Sequence, residues 1–166
     1  MAMRYEKITH VDVNNGLGCR VTLWISGCTH HCVGCHNKCT WSFSSGSVYD
    51  IYAEQKLFSY ISLPYIKGLT LSGGEPLDSV VDVIALCERF KQKFPNKDIW
   101  LYSGYTIEQI KNDEAKSEIL KYIDYLVDGE FKHKLKDITL AFRGSSNQNI
   151  WKKNENNGEF ERCNLD

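Results

Sequence analysis

Four short apolar runs that each stop at a glycine constrain this chain more than any other feature. They are "CRVTLWIS" (19–26) before Gly27, "KGLTLS" (67–72) before Gly73-Gly74, "DIWLYS" (98–103) before Gly104, and "DYLVDG" (124–129), which ends on Gly129. Short runs rich in β-branched and aromatic residues, bounded by turn residues, read as strands. Helical segments lie between them. The stretch "VYDIYAEQKLFSYISL" (48–63) reads as one helix. In "DSVVDVIALCERFKQK" (78–93), Val80, Val83, Ile84 and Cys87 fall at i, i+3, i+4 and i+7, one face of a 3.6-residue period, and Asp78 or Ser79 can cap it. Thr106 can cap a third helix reaching to about Lys121, with a break near Asn112-Asp113. The run "ITLAFRG" (138–144) predicts a fifth strand. Alternating strands and helices predict an α/β fold, a mostly parallel sheet of about five to six strands with right-handed crossovers. Ligands of such sheets gather beyond the carboxyl ends of the strands. Gly27-Cys28, Gly73-Gly74-Glu75, Ser103-Gly104 and Asp128-Gly129 are therefore expected on one rim.

Nothing divides the chain. Its 166 residues suit one domain, only Pro64, Pro76 and Pro95 interrupt it, and no repeat or linker stands out. The polar, Asn-rich stretch after about Ile150 is expected to be peripheral or partly mobile. With 20 basic and 21 acidic residues, the net charge of −1 argues against a broad nucleic-acid or membrane surface. No apolar run approaches the ~20 residues that span a bilayer, and the first residues lack the apolar core of a signal peptide, so a cytoplasmic protein is expected. Seven cysteines in a reducing compartment point to metal or redox chemistry before disulfides.

Three of those cysteines lie in "GCTHHCVGC" (27–35) as C-x3-C-x2-C: Cys28, Cys32 and Cys35. Three thiolates on a short loop can bind three irons of a 4Fe–4S cube and leave the fourth open to an outside ligand. Two alternatives stand beside this. Cys39 could close the cube, although the first gap is one residue longer than in the ferredoxin run and Thr40, not proline, follows Cys39. Zinc could take thiols together with His30, His31 or His36, although zinc sites usually bring two knuckles a dozen or more residues apart.

The cysteine loop after the first of these strands, followed by "SGGEPL" (72–77) at the end of the next, resembles the radical S-adenosylmethionine superfamily and its GGE motif. Within it, "DVNNGLGCRVTLWISGCTHHCVGCHN" (12–37), "YSGYT" (102–106), "VDGEF" (127–131) and "FRGSSNQ" (142–148) resemble the small activating proteins of anaerobic ribonucleoside-triphosphate reductase. Asn149 departs from the Arg that family often carries there, and Cys39 is an extra cysteine. Gly34 before the third cysteine is usual for the activating proteins.

The resemblance implies a partial (β/α) barrel of the radical S-adenosylmethionine type. It implies that Cys28, Cys32 and Cys35 hold one 4Fe–4S cluster whose fourth iron takes S-adenosylmethionine. A flavodoxin-type protein would supply the electron, and the target would be a glycine in the C-terminal loop of the reductase. Gly73, Gly74 and Glu75 would meet the methionyl ammonium, with Glu75 touching it or fixing the turn. Gly34 and His36, which flank Cys35, would lie under the adenine. Ser103 and Asp128 would bond the carboxylate or ribose, or act only as caps. Arg143 would pair with a carboxylate of the ligand or of the protein. His30 and His31 are expected to shape the loop or face solvent, Cys87 to lie in the core, and Trp24 and Trp100 to pack on the sheet. No role follows for Cys19 or Cys163. The rival targets are another glycyl-radical enzyme such as pyruvate formate-lyase or a small molecule; the rival class is a non-enzymatic iron–sulfur or zinc protein.

Overall fold

The computed structural model describes residues 2–166. Among the described residues, eight strands form one sheet: β1 (Arg4–Asp12), β2 (Arg20–Ser26), β3 (Ser47–Val48), β4 (Gly68–Gly73), β5 (Asp98–Tyr102), β6 (Tyr125–Asp128), β7 (Asn149–Lys153) and β8 (Phe160–Cys163). Their order across the sheet is β3-β1-β2-β4-β5-β6-β7-β8. The four middle strands pair in parallel. Antiparallel pairs flank them on both sides. The fold is α/β as expected, but the expected sheet needs correction: it has eight strands, and four of its seven pairings are antiparallel.

Three sequence expectations differ for local reasons. First, β1 was not expected as a strand. Its sequence, "RYEKITHVD", buries only Asp12 fully, so it carries little apolar signal, yet it pairs along β2. Second, 138–144 is not a strand. Asp137 accepts from both the backbone N–H and the hydroxyl of Thr139, which turns the chain, and Ile138 is 88% exposed. Third, the polar tail is a β-hairpin: β7 pairs with β6, and Ile150 is fully buried.

Helix α1 (Ile51–Ile61) starts at Asp50, whose carboxylate accepts from the Ala53 amide at 2.9 Å. A 3-10 turn at Pro76–Ser79 leads into α2 (Val80–Lys93). The buried stripe of α2 is Val83, Leu86, Cys87 and Phe90, rotated slightly from the one the periodicity singled out. Neither expected cap serves α2: Ser79 makes no capping bond, and Asp78 instead accepts from Thr29. The chain after Thr106 breaks as expected. Thr106 and Gln109 form a capping box on α3 (Ile107–Asn112), and Asp113 caps α4 (Glu114–Ser117).

The core lies between these helices and one face of the sheet. Leu23, Leu71, Leu101 and Leu126 point from adjacent strands toward Leu57, Leu86 and Ile110. Each such burial contributes roughly 1.5–3 kcal/mol. The opposite face is more polar. Arg20 is fully buried there, donating to the Thr70 hydroxyl at 2.8 Å and the Leu69 carbonyl at 2.9 Å. Its guanidinium also lies 2.6 Å from an Asp98 oxygen, although that contact is not aligned as a hydrogen bond. Trp100 stacks on Tyr125 at 4.4 Å and meets the edge of Phe142. It packs in the sheet, as expected.

Candidate functional site

The carboxyl ends of the four parallel strands meet at one cavity, as the glycine stops predicted. Gly27 turns the chain out of β2, its amide donating to the Thr40 carbonyl at 2.7 Å, and the Cys28 amide donates to Trp41 at 3.1 Å. The loop is thus closed at its base. The tip of β4 presses against that base: the Glu75 amide donates to the Gly27 carbonyl at 2.7 Å. Only glycine permits this contact, because a Cβ at position 74 would stand 2.3 Å from the Gly27 oxygen.

Cys28, Cys32 and Cys35 all line the cavity, with Gly73, Gly74 and Gly104. Cys28 is buried, and Cys32 and Cys35 are half-buried. Burial pushes the Cys28 and Cys32 thiols upward, and a bound cation favours the thiolate form. Cys39 is exposed on a 3-10 turn (Lys38–Thr40) and does not line the cavity. Cys87 is core, its thiol pushed up to about 12 by burial. Among the described residues, no three His, Cys, Asp or Glu side chains converge as a single metal ion would require. Thiolates that bind a cube attach to separate irons, and three cysteines spread around one cavity fit that donor set.

Glu75 is fully buried and accepts four hydrogen bonds. Oε1 receives the Leu77 amide and the Ser103 hydroxyl, each at 2.9 Å. Oε2 receives the Gly104 amide at 2.7 Å and contacts His30 Nε2 at 3.0 Å. The other His30 nitrogen lies 3.0 Å from Glu130 Oε1. Both ring nitrogens face carboxylates, so both donate. The Glu75 hydrogen bond outweighs burial and, with the charges of Glu75 and Glu130, holds His30 up at about 9. The ring also meets Tyr105 edge-on at 4.5 Å.

The other candidates lie at varying distances from the cavity. Ser103 lines it. Asp128 does not; Val127 and Gly129 do. The Asp128 carboxylate accepts from the Ile107 amide at 2.7 Å and from both nitrogens of Asn149. Arg143 does not line the cavity either; its guanidinium pairs with Asp166 and donates to the Gln148 carbonyl. Gly34 sits in the left-handed region, against His133. His36 is exposed and tilts against Phe131. Of the two histidines expected to shape the loop or face solvent, His31 is exposed against Trp41, and His30 is the clamp just described. Asn37, Trp41, Tyr102, Phe131 and Gln148 also line the cavity without having been singled out. Four of them (Asn37, Tyr102, Phe131 and Gln148) stand inside the quoted motifs, which are their only signal; Trp41 has none.

A family model described as a 4Fe–4S single cluster domain matches residues 14–151. That match sets the class: a protein built around one iron–sulfur cluster. The chain is also 42% identical, over 90% of its length and 94% of the relative's, to an anaerobic ribonucleoside-triphosphate reductase-activating protein of Enterobacteria phage T4. Proteins of the same name from Vibrio cholerae (44% identical, 89% and 97% covered) and Pasteurella multocida (41%, 90% and 98%) agree. The chain belongs to the family of anaerobic ribonucleoside-triphosphate reductase-activating proteins.

Proposed function

We propose that this chain activates an anaerobic ribonucleoside-triphosphate reductase, using one 4Fe–4S cluster and S-adenosylmethionine. The observation that carries this is the meeting of Cys28, Cys32 and Cys35 with the glycine tips of β4 and β5 around one cavity, with Cys39 outside it. When bound, the cluster supplies an electron that cleaves S-adenosylmethionine to methionine and a 5′-deoxyadenosyl radical, which takes a hydrogen from a reductase glycine.

The chain's own residues hold and shield. Cys28, Cys32 and Cys35 are the cluster ligands in this proposal. Three protein thiolates keep one iron free for the co-substrate. Gly73 and Gly74, which line the cavity, offer backbone carbonyls to its ammonium; their missing Cβ atoms let β4 close on Ile25 and Gly27. Ser103, whose O–H is given to Glu75, can only accept and so faces the ribose, and the backbone beside Gly129 faces the carboxylate or ribose. Gly34 and His36 stay proposed neighbours of the adenine. Trp41, Val127 and Phe131 are apolar walls that limit water around the reacting centre. Asp128 and Arg143 are proposed to support the site through their neighbours, given the partners each already has.

The parallel set β2-β4-β5-β6, with crossover helices on one face, supports the reading of a partial (β/α) barrel of the radical S-adenosylmethionine type. A flavodoxin-type reductant and a cytoplasmic setting are part of the proposal. No helix among the described residues is long and apolar enough to cross a membrane.

The deciding experiment is anaerobic reconstitution with iron and sulfide, then dithionite and S-adenosylmethionine, with 5′-deoxyadenosine as the readout. Coexpression with the reductase should add a glycyl doublet in electron paramagnetic resonance. A loaded cluster that yields no 5′-deoxyadenosine would overturn the proposal. A doublet on pyruvate formate-lyase in place of the reductase would redirect it.

A further inference from the structure

We infer that Glu75 is a positioning residue that fastens the cysteine loop through His30, and that its carboxylate does not contact the co-substrate's ammonium. This rests on the activase proposal above and goes beyond it.

A carboxylate offers about four acceptor positions. Those of Glu75 are filled by Leu77, Ser103, Gly104 and His30, at 2.7 to 3.0 Å. The side chain is also wholly buried, so a ligand cation would have to displace a protein donor to reach it. The four donors come from different places. Leu77 belongs to the turn after β4, Ser103 and Gly104 to the tip of β5, and His30 to the cysteine loop. His30 lies midway between Cys28 and Cys32 and carries the connection on to Glu130, past the end of β6. The Glu130 carbonyl in turn accepts from Asn147 at 2.8 Å. One buried carboxylate and one imidazole therefore tie the ligand-bearing loop to three strand ends. A loop that presents three thiols to one cluster needs such restraint, since metal ligands are held only as well as the groups that support them.

The test compares Glu75→Gln, His30→Gln and the double variant. Amide hydrogen exchange on the chain without iron reads the loop directly. Glu75→Gln should speed exchange at Gly104 and at the loop amides of Cys28 and Cys35, by about tenfold. His30→Gln should do the same at the loop amides, and the double variant should add little, because the two residues act as one unit. Iron bound per chain after reconstitution should fall in all three. The opposite result is full iron loading and wild-type loop exchange in Glu75→Gln, with a raised KM for S-adenosylmethionine. That would place the carboxylate on the ammonium and overturn the proposal, as would additive effects in the double variant. If Glu75→Gln does not fold, His30→Gln decides alone, since it keeps the other three donors: wild-type loop exchange there overturns the proposal. A wild-type protein that loads iron but makes no 5′-deoxyadenosine would remove the activase assignment and leave the exchange result standing.

Discussion

Gly104 lies against the His30 ring so closely that a Cβ at position 104 would stand 2.6 Å from Nε2. The ring cannot yield cheaply, because a carboxylate holds it on each side. Gly104→Ala should therefore lower stability by about 1–3 kcal/mol, the usual range for overpacking. Urea unfolding of the iron-free chain checks this, and an unchanged midpoint would contradict the clamp geometry.

The ligand set predicts a contrast among cysteines. Cys32→Ser should lose most bound iron and all 5′-deoxyadenosine formation. Cys39→Ser should keep both, since Cys39 is exposed and outside the cavity. Iron analysis beside the product assay tests it; loss in both variants would mean that the ligands are misassigned.

Iron removal should leave the fold standing. The core between sheet and helices uses none of the three cavity cysteines as a packing centre. Chelation should therefore leave the far-ultraviolet circular dichroism nearly unchanged, unlike a small zinc domain, whose metal binding is its folding energy.

The corrected strand assignment can be tested by two isoleucines. Ile150 on β7 is fully buried, and Ile138 is 88% exposed. Ile150→Ala should cost about 3 kcal/mol, and Ile138→Ala less than about 0.5 kcal/mol. Equal costs would restore the strand expected at 138–144.

Asp12 predicts a pH effect away from the cluster. Burial pushes its carboxyl up, but hydrogen bonds from Thr22, Asn14 and Asn15 outweigh this and hold it below the usual 3.8. A depressed folded value means that its stabilisation is present above the unfolded value and is lost as pH falls through the folded one. Asp12→Asn should flatten the fall in thermal midpoint as pH drops below the usual 3.8. An acid limb as steep as that of the wild type would refute this.

Much of the fold was legible because glycine stops and apolar runs are local signals. The four parallel strands and the shared rim follow from them, and the break at Asp113 follows from the polar pair Asn112-Asp113. The flanking strands were not legible, because β1, paired with β2 and the two-residue β3, is half polar, and β8 at the sheet edge buries none of its side chains fully. At the site, cysteine spacing identified the ligands proposed here. The partners of Glu75, Asp128 and Arg143 were beyond reach, because they are set by contacts such as His30–Glu75 and Arg143–Asp166, which join residues far apart in the chain.

Asp128 offers one oxygen to the first turn of α3 and the other to Asn149 at the start of β7. The helix that leaves the Ser103–Gly104 tip and the hairpin that finishes the sheet are thus moored to a single post. Trimming the hairpin should slacken the wall of the cysteine-lined cavity that Val127, Gly129 and Gln148 form, so this polar hairpin works as a buttress.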